Sequence, residues 1–346
     1  MEKIKRFVAD FGLPRVIIAV YLLGLFSMAP VVDVSLFGAL SDTFIRIGMN
    51  GIMVLALVPM IQSGCGLNFG LSLGVIAGLL GATFSIEMGY VGIWGFSFAI
   101  IASQVVGAIF GLGYGALLNR VKGGEMMIAT YVGFSSVMIM SIAWLCLPFT
   151  SPVMIWGYGG EGLRTTVSVE GFWRHILDDF LAIQIGNFKF PTGTILFLLL
   201  VSFIVWAFFH LKIGTAMTAV GSNPSYARAS GININRMRAT SVVISTMLGA
   251  MGIIVYEQSF GFIQLYDGPL YMAFPAVAAI LIGGAGVNKA SLANVFIGVA
   301  LYQGILAMTP LIFNAVLKLD MSDVIRIIVS NGMILYALTR KIKVLK

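Results

Sequence analysis

The chain has 346 residues, of which 59% are hydrophobic and only 10% charged, and its formal net charge is +7. Its mean hydropathy of +0.99 excludes an ordinary soluble domain, which carries about 25% charged residues. Apolar runs of about twenty residues recur along the sequence, and each is long enough to cross a bilayer. The runs are continuous rather than alternating, which argues against a β-barrel. We therefore expect an all-α polytopic membrane protein.

Ten apolar runs are predicted to span the membrane within one transmembrane domain, residues 1–346. The predicted spans are 13–30, 48–63, 69–86, 93–118, 124–147, 191–210, 236–257, 270–283, 291–309 and 322–339. An even number of spans places both termini on the same side of the membrane.

The charged residues indicate which side that is. If the N-terminus, with Lys3, Lys5 and Arg6, is cytoplasmic, the inner segments hold fifteen of the 21 basic residues and the outer segments eleven of the 14 acids. This asymmetry follows the positive-inside rule and predicts that both termini are cytoplasmic. Residues 148–190 then form a long external loop, and residues 211–235 form a cytoplasmic loop. Topology explains the net charge, so no nucleic acid is expected as a partner.

The external loop contains the stretch EGFWRHILDDFLAIQ, residues 170–184. Its apolar side chains, beginning with Phe172 and Trp173 and continuing with Ile176 and Leu177, fall on one face of a helix. The pattern predicts an amphipathic helix at the outer surface. Such a helix seals the bundle, which is the preferred interpretation, or it contributes to a docking surface for an external protein.

Two rows of small residues recur every four positions along the chain. The rows are Gly66, Gly70, Gly74, Gly78 and Ala82, and then Ser103, Gly107, Gly111 and Gly115. Each row lines one face of a helix and lets a neighbouring helix approach closely, so we predict tight helix packing at both.

The sequence lacks the groups that would power transport or carry out catalysis. There is no GxxxxGK[ST] phosphate-binding loop, and the nearest stretch, GGAGVNKAS at 283–291, departs from it at two positions. No carboxylate falls at the centre of a predicted span, and the two histidines suit neither a metal nor a hydrolytic site. Cys65 and Cys146 predict no disulfide. We expect no metal, no cofactor and no enzymatic activity in this chain, and an energy source in another subunit.

Residues 59–72, PMIQSGCGLNFGLS, combine a proline and three glycines at membrane depth. An interrupted helix is tolerated there only where it lines a cavity or is buried in protein. The uncharged side chains of Gln62, Ser63, Asn68 and Ser72 suit a neutral polyhydroxylated or heteroaromatic solute, so we predict that they line a solute path. The alternative is that they only satisfy the interrupted backbone.

Residues 221–233, GSNPSYARASGIN, form a short polar stretch with the signals of a capped helix. Asn223 is a good N-cap, Pro224 a good first helical residue, and Gly231 a natural residue after the helix end. A helix of under two turns persists only if something packs on it. Its tyrosine and arginine suit insertion into a partner's groove. The alternative is an ordinary ordered loop.

The pattern G-x-N-P-x-x-A-x-x-S-G-I in this stretch resembles the cytoplasmic coupling-helix motif of permease subunits from ATP-binding-cassette importers. The similar branch serves ribose and other monosaccharides, nucleosides and branched-chain amino acids. In that family the short helix docks onto the ATPase subunit and transmits its closure to the spans. The positions that the resemblance assigns to ATPase coupling are Asn223, Pro224, Ala227, Arg228, Ser230 and Gly231. A second alanine is common where Arg228 stands.

The resemblance extends over nearly the whole chain. Residues 63–82 are similar to the G-I-D-L-S-x-G turn of the sugar permeases, with Asn68 in place of the usual aspartate. Residues 275–301 look like the eighth and ninth spans of sugar permeases. Residues 123–133 resemble the start of the fifth span in both the sugar and nucleoside branches, and Glu125 leans toward the nucleoside branch.

The resemblance implies a permease subunit with several partners in the cell membrane of a prokaryote. These partners are an ATP-binding subunit at the cytoplasmic face, which binds the ATP and Mg, an extracytoplasmic solute-binding protein, and a second permease in a homodimer or heterodimer. The expected solute is a monosaccharide such as ribose, and the alternative is a nucleoside or a vitamin-like heteroaromatic solute. A channel or facilitator would use the same broken helices without an ATPase, so dependence of uptake on ATP hydrolysis separates the two.

Overall fold

The computed structural model describes residues 13–121, 123–157, 162–186, 188–286, 288–318 and 320–342, with side chains for those between 15 and 335. The basic residues Lys3, Lys5 and Arg6, which orient the N-terminus in the sequence argument, lie outside the described residues.

Helices dominate the described chain, as the continuous apolar runs predict. They are α1 (Leu13–Met28), α2 (Leu36–Leu55), α3 (Leu57–Gln62), α4 (Ser72–Glu87), α5 (Gly92–Arg120), α6 (Glu125–Cys146), α7 (Thr192–His210), α8 (Lys212–Ser222), α9 (Pro224–Ala229), α10 (Ile234–Phe260), α11 (Gly268–Tyr271), α12 (Ala273–Ile282), α13 (Leu292–Leu317) and α14 (Ser322–Ile342). Short antiparallel pairs join β1 (Thr166–Ser168) to β4 (Phe262–Gln264), and β2 (Ile183–Ile185) to β3 (Phe188–Phe190).

Eight helical segments of the described chain are long and apolar enough to cross a membrane. They are Arg15–Val32, Leu36–Gln62, Phe69–Glu87, Gly92–Arg120, Glu125–Cys146, Thr192–His210, Ile234–Phe260 and Leu292–Leu317. The predicted span at 270–283 is divided between α11 and α12, and the one at 322–339 lies in α14. The all-α polytopic fold is therefore confirmed, while the count of ten and the cytoplasmic termini stay predictions.

The second span begins twelve residues earlier than predicted, at Leu36 instead of residue 48, and it reaches Gln62 through α2 and α3. The side chain of Ser35 caps α2 by accepting from the N–H of Gly38 at 3.2 Å. Asp42 and Arg46 lower the local hydropathy, and for this reason the predicted span began too late. Both residues therefore lie on a helix that is long enough to cross the membrane, and not in a loop before it.

The rows of small residues bring α4, α5 and α10 into close contact. A Cβ added at Gly74 would lie 3.2 Å from the Cα of Gly249, and one at Gly111 would lie 2.7 Å from the Cα of Val243. No larger residue fits at such separations, so the predicted tight packing is confirmed. We call α4, α5 and α10 the small-residue half of the bundle.

The remaining core packs on the opposite side of α10. There α2 contacts α10, α7 and α13, while α12, α13 and α14 pack on one another and α1 packs on α13. We call α2, α12, α13 and α14 the polar half, because charged and amide side chains of α2, α13 and α14 line cavities there.

The predicted amphipathic helix at 170–184 is wrong, because the structure has consecutive turns at 170–181. His175 adopts a φ of 54°, outside the helical region. The carboxylate of Asp178 is buried and accepts from the hydroxyls of Thr194 and Ser259, which pins the segment to α7 and α10. Trp173 is buried beneath it. The segment thus covers one end of the bundle without forming a helix.

Candidate functional site

The short helix α9 is closed at both ends by its own sequence. The side chain of Asn223 accepts from the N–H of Tyr226 at 3.0 Å, and Pro224 is the first helical residue. At the other end Gly231 has a φ of 78°, and the N–H of Ile232 donates to the carbonyl of Ala227 at 3.0 Å. This is the glycine-terminated pattern predicted from the sequence.

The surface of α9 is open. Of the six residues from Pro224 to Ala229, only Ala227 is buried. The Tyr226 side chain is 67% exposed. Ser230 and Gly231 are exposed as well. All six predicted coupling residues therefore belong to one capped element, and five of them are available to a partner.

The preceding helix, α8, joins α9 to the interrupted second span. A Cβ at Gly221 would overlap the carbonyl oxygen of Gln62, so the two backbones touch. The Thr218 hydroxyl donates to Oε1 of Gln62 at 3.1 Å, and Nε2 of Gln62 donates to the carbonyl of Ala290 at 2.7 Å. The end of α3 is thus attached directly to α8. The sequence did not predict α8, because its residues were taken as loop.

The second span ends at a glycine in the same way as α9. Gly64 has a φ of 77°, and the N–H of Cys65 donates to the carbonyl of Met60 at 3.0 Å. A Cβ at Gly64 would lie 3.1 Å from the Cα of Gly221. Two glycine positions from different parts of the chain therefore meet where α8 touches α3.

The linker after Gly64 is buried and held by side-chain hydrogen bonds to the small-residue half. Asn68 is 0% exposed; its Oδ1 accepts from the Tyr114 hydroxyl at 3.1 Å, and its Nδ2 donates to the Ser245 hydroxyl at 2.8 Å. One turn away along α10, the Ser241 hydroxyl lies 2.6 Å from that of Ser63. The interrupted backbone is thus embedded in protein, as predicted.

The four predicted path residues do not form one group. Ser63 and Asn68 are both buried against α10, whereas Gln62 is half-buried and contacts α8. Ser72 is buried at the first residue of α4, beside Gly133 of α6. In this conformation Ser63 and Asn68 bond to the surrounding helices, which is what the alternative interpretation of the sequence expects of them.

A polar stripe on α2 was not among the predicted site residues. Asp42, Arg46 and Asn50 follow one another at intervals of four residues and so lie on one face of the helix. Asp42 and Arg46 line a cavity of about 100 Å³ between α2, α13 and the start of α14. Asn50 and Gln303 line a cleft one turn further along α2 and α13. The spacing was visible in the sequence, but the late start of the predicted span concealed it.

Glu257 is a buried carboxylate without a partner. It lies one turn before the end of α10, is 1% exposed, and neither carboxylate oxygen has a hydrogen-bond partner among the described residues. The predicted span 236–257 likewise has Glu257 at its end. No group of three or more histidine, cysteine or acidic side chains suited to a metal ion occurs in the described part of the chain.

Comparison with known proteins gives the family. A family model described as "Branched-chain amino acid transport system / permease component" matches residues 39–335. The chain belongs to this family. The membership confirms the resemblance to permeases of ATP-binding-cassette importers, and it makes the chain a multi-pass transport subunit of the cell membrane rather than an enzyme.

Similar curated proteins include permeases of the same name from two organisms. The "Autoinducer 2 import system permease protein LsrD" of Salmonella typhimurium (strain LT2) is 25% identical over 243 residues, which is 70% of this chain and 66% of the relative. The protein of the same name from Escherichia coli (strain K12) is 23% identical over 276 residues, 75% of each chain. The match thus spans just under two thirds of the Salmonella relatives. No solved structure matches the chain.

Proposed function

We propose that this chain provides the passage for a small sugar-type solute in an importer driven by a separate ATPase. The observation that carries the proposal is α9, a capped and exposed helix joined through α8 to the interrupted second span. A partner that grips α9 moves α8, and α8 is in backbone contact with the end of α3. ATP and Mg belong to that partner.

The proposed solute is a monosaccharide such as ribose. Support comes from the similarity to permeases named for autoinducer 2 import and from the uncharged polar side chains around the interruption. A nucleoside remains the alternative solute, although neither of the two relatives described above is named for one. The proposed partners are an ATP-binding subunit on α9, an extracytoplasmic solute-binding protein and a second permease.

We also propose that Gln62, Ser63, Asn68 and Ser72 border the passage when it opens. In the present conformation Asn68 and Ser63 are paired with α5 and α10. Movement of α3 by α8 would separate these pairs and expose donors and acceptors suited to hydroxyl groups. The contacts are few and uncharged, so they favour weak binding, as a passage needs when a separate protein captures the solute.

The test replaces both polar ends of α9, Asn223→Leu together with Ser230→Leu, in the complex of permease, ATPase and binding protein in proteoliposomes. Loss of the N-cap costs about 0.5–2 kcal/mol of helix stability, so α9 should lose its shape while the spans still insert. We expect membrane levels to be unchanged and ATP-driven uptake of labelled ribose to be lost.

The matched control is Ser222→Ala, an exposed neighbour outside the helix caps, which should transport normally. Normal uptake by the Asn223 and Ser230 double variant would disprove the coupling role of α9. Uptake that continues in the wild type without ATP hydrolysis would instead show a channel or facilitator.

A further inference from the structure

Arg46 lies on a helix that is long enough to cross the membrane, and it lines a cavity. The Arg46 guanidinium is half-buried and forms no hydrogen bond or ion pair with any residue that the structure describes. Ionisable side chains at such positions are costly and commonly mark the route of a solute or ion. Its charged and ionisable neighbours are Arg326 of α14, Tyr256 of α10 and Asp42 one turn away on α2.

The groups that line the cavity carry both signs of charge. Asp42 and Arg46 line it from α2, and Arg326 lines it from α14. Arg326 also pairs with Asp323 at 3.6 Å, and that pair is solvent-exposed. A simple anion meets repulsion from Asp42 as well as attraction from the guanidiniums, whereas a neutral solute with both donors and acceptors suits both signs of charge.

The same groups suit a solute that has both hydroxyl donors and oxygen acceptors. A guanidinium presents several N–H donors in a fixed plane, and a carboxylate accepts from hydroxyl groups. The amide side chains of Asn50 and Gln303 line the adjoining cleft, and each of them both donates and accepts hydrogen bonds. Apolar side chains of α13, among them Leu306 and Pro310, form the remaining wall, which fits the C–H face of a sugar ring.

We propose that the cavity formed by Asp42, Arg46 and Arg326, with the adjoining amides, is a contact site for a neutral polyhydroxylated solute in the passage. This inference names the solute class of the proposed function and rests on it. Arg46 donates to solute oxygens and Asp42 accepts from a solute hydroxyl. The site belongs to the polar half of the bundle and is separate from the buried linker around Asn68.

The first experiment needs no transport. Asn50→Cys is made in the full chain carrying Cys146→Ser, because Cys146 is exposed and Cys65 is buried. A water-soluble thiol reagent should label Cys at position 50, and saturating ribose should slow labelling at least about twofold, whereas leucine should not. Ile109→Cys is the control: it lies on α5 with 61% of its side chain exposed in an apolar surface, and it should stay unlabelled in a bilayer.

The second experiment measures ribose uptake by the whole importer. Arg46→Met should reduce the uptake rate about tenfold, which corresponds to about 1.4 kcal/mol, and Arg46→Lys should lie between it and the wild type. Lys318→Met is the matched control, since it removes an exposed positive charge at the end of α13 without lining the cavity.

The outcomes separate this inference from the proposed function. An unlabelled Cys at position 50, protection by leucine instead of ribose, or wild-type uptake by Arg46→Met would each overturn the site. If the wild-type importer shows no ATP-driven uptake at all, the proposed function fails, but labelling and its protection by ribose still decide whether the cavity takes a polyhydroxylated solute.

Discussion

In the small-residue half, α4, α5 and α10 meet at glycines, whereas the polar half places charged side chains of α2 and α14 beside a cavity. Arg238 of α10 is paired with Glu125 at the start of α6, and the two side chains are only 11% and 16% exposed. Arg46 of α2 has no ion pair with any residue that the structure describes, and it lines the cavity. Glu257 of α10 is the exception in the small-residue half, since its buried carboxylate has no hydrogen-bond partner among the described residues.

The comparison separates two mechanical roles. Backbones in van der Waals contact transmit movement because neither can shift without the other. Unpaired donors and acceptors beside a cavity are available to a solute. The small-residue half is therefore suited to transmission, and the polar half is suited to the solute. Through Gly221, α8 and α9 are attached to the end of the second span. The interrupted linker lies where the two meet.

The largest expected effect concerns the side of the membrane on which α9 lies. In a chain carrying Cys146→Ser, a cysteine at Ser225 should not react with an impermeant thiol reagent in intact cells, and one at Gln184 should react fully. Both positions are exposed, and the expected difference follows from the asymmetry of basic residues. Gly160, in the same external loop, lies outside the described residues.

Permeabilised cells supply the control, because both cysteines should then react. Labelling of Ser225→Cys but not Gln184→Cys in intact cells would invert the topology and remove α9 from the ATP side of the membrane.

The second test breaks the contact between α8 and the end of α3 at Gly221. In Gly221→Ala the added Cβ would overlap the carbonyl oxygen of Gln62. Overpacking of this kind lowers the free energy of unfolding by about 1–3 kcal/mol. Because a backbone atom must move, we expect α8 to separate from α3 and ribose uptake per ATP hydrolysed to fall at least about tenfold. Insertion should be normal.

The informative control is the Gln62→Ala variant, which removes the side-chain bonds to Thr218 and Ala290 but leaves the backbone contact. It should retain more coupling than Gly221→Ala. Equal uptake per ATP in Gly221→Ala and the wild type would show that movement does not pass through this contact.

Much of the fold followed from local signals in the sequence. Continuous apolar runs predicted the helices, four-residue glycine spacing predicted the packing of α4, α5 and α10, and Asn223 with Gly231 predicted both ends of α9. These features depend on residues close together in the chain, or on a period that sterics impose.

The features that were missed depend on distant partners. The buried carboxylate of Asp178 accepts hydrogen bonds from Thr194 on α7 and Ser259 on α10. These partners are distant in sequence, so no local pattern reveals that turns form here instead of the predicted helix. The stripe of Asp42 and Arg46 was excluded from the span because hydropathy treats a charge as a boundary. A charge that faces a cavity is instead compatible with a longer span.

A third test asks whether Asn68 serves packing or passage. Asn68→Leu removes the two side-chain hydrogen bonds of Asn68, to the hydroxyls of Tyr114 and Ser245. Each buried group that loses its partner costs about 1–3 kcal/mol of stability. We expect ribose uptake to fall several-fold with binding-protein docking intact. Asn68→Asp keeps the acceptor for Tyr114 and should be tolerated if the solute is a sugar, since aspartate is usual there in the sugar branch. Uptake of labelled ribose and adenosine should be compared.

The midpoint of thermal unfolding in detergent distinguishes a packing role of Asn68 from a role in the passage, because only a packing role links the loss of uptake to a loss of stability. Ser85→Ala removes the buried hydrogen bond to the carbonyl of Gly95 at 2.7 Å, outside the proposed passage, and serves as the packing control. If Asn68→Leu transports at the wild-type rate, or if its loss of uptake follows the loss of stability seen with Ser85→Ala, Asn68 only secures the linker.

The smallest effect is expected within one helix of the small-residue half, where two glycines of α5 have opposite surroundings. A Cβ at Gly111 would lie 2.7 Å from the Cα of Val243, whereas one at Gly113 meets nothing within 4 Å. Gly111→Ala should lower the free energy of unfolding by about 1–3 kcal/mol because α10 must move away. Gly113→Ala should raise it by about 0.5–1 kcal/mol, since alanine loses less backbone entropy in a helix. Midpoints of thermal unfolding of the purified chain measure both. Similar midpoints for the two variants would mean that α5 and α10 tolerate separation, and the small-residue half would then be no more rigid than the polar half.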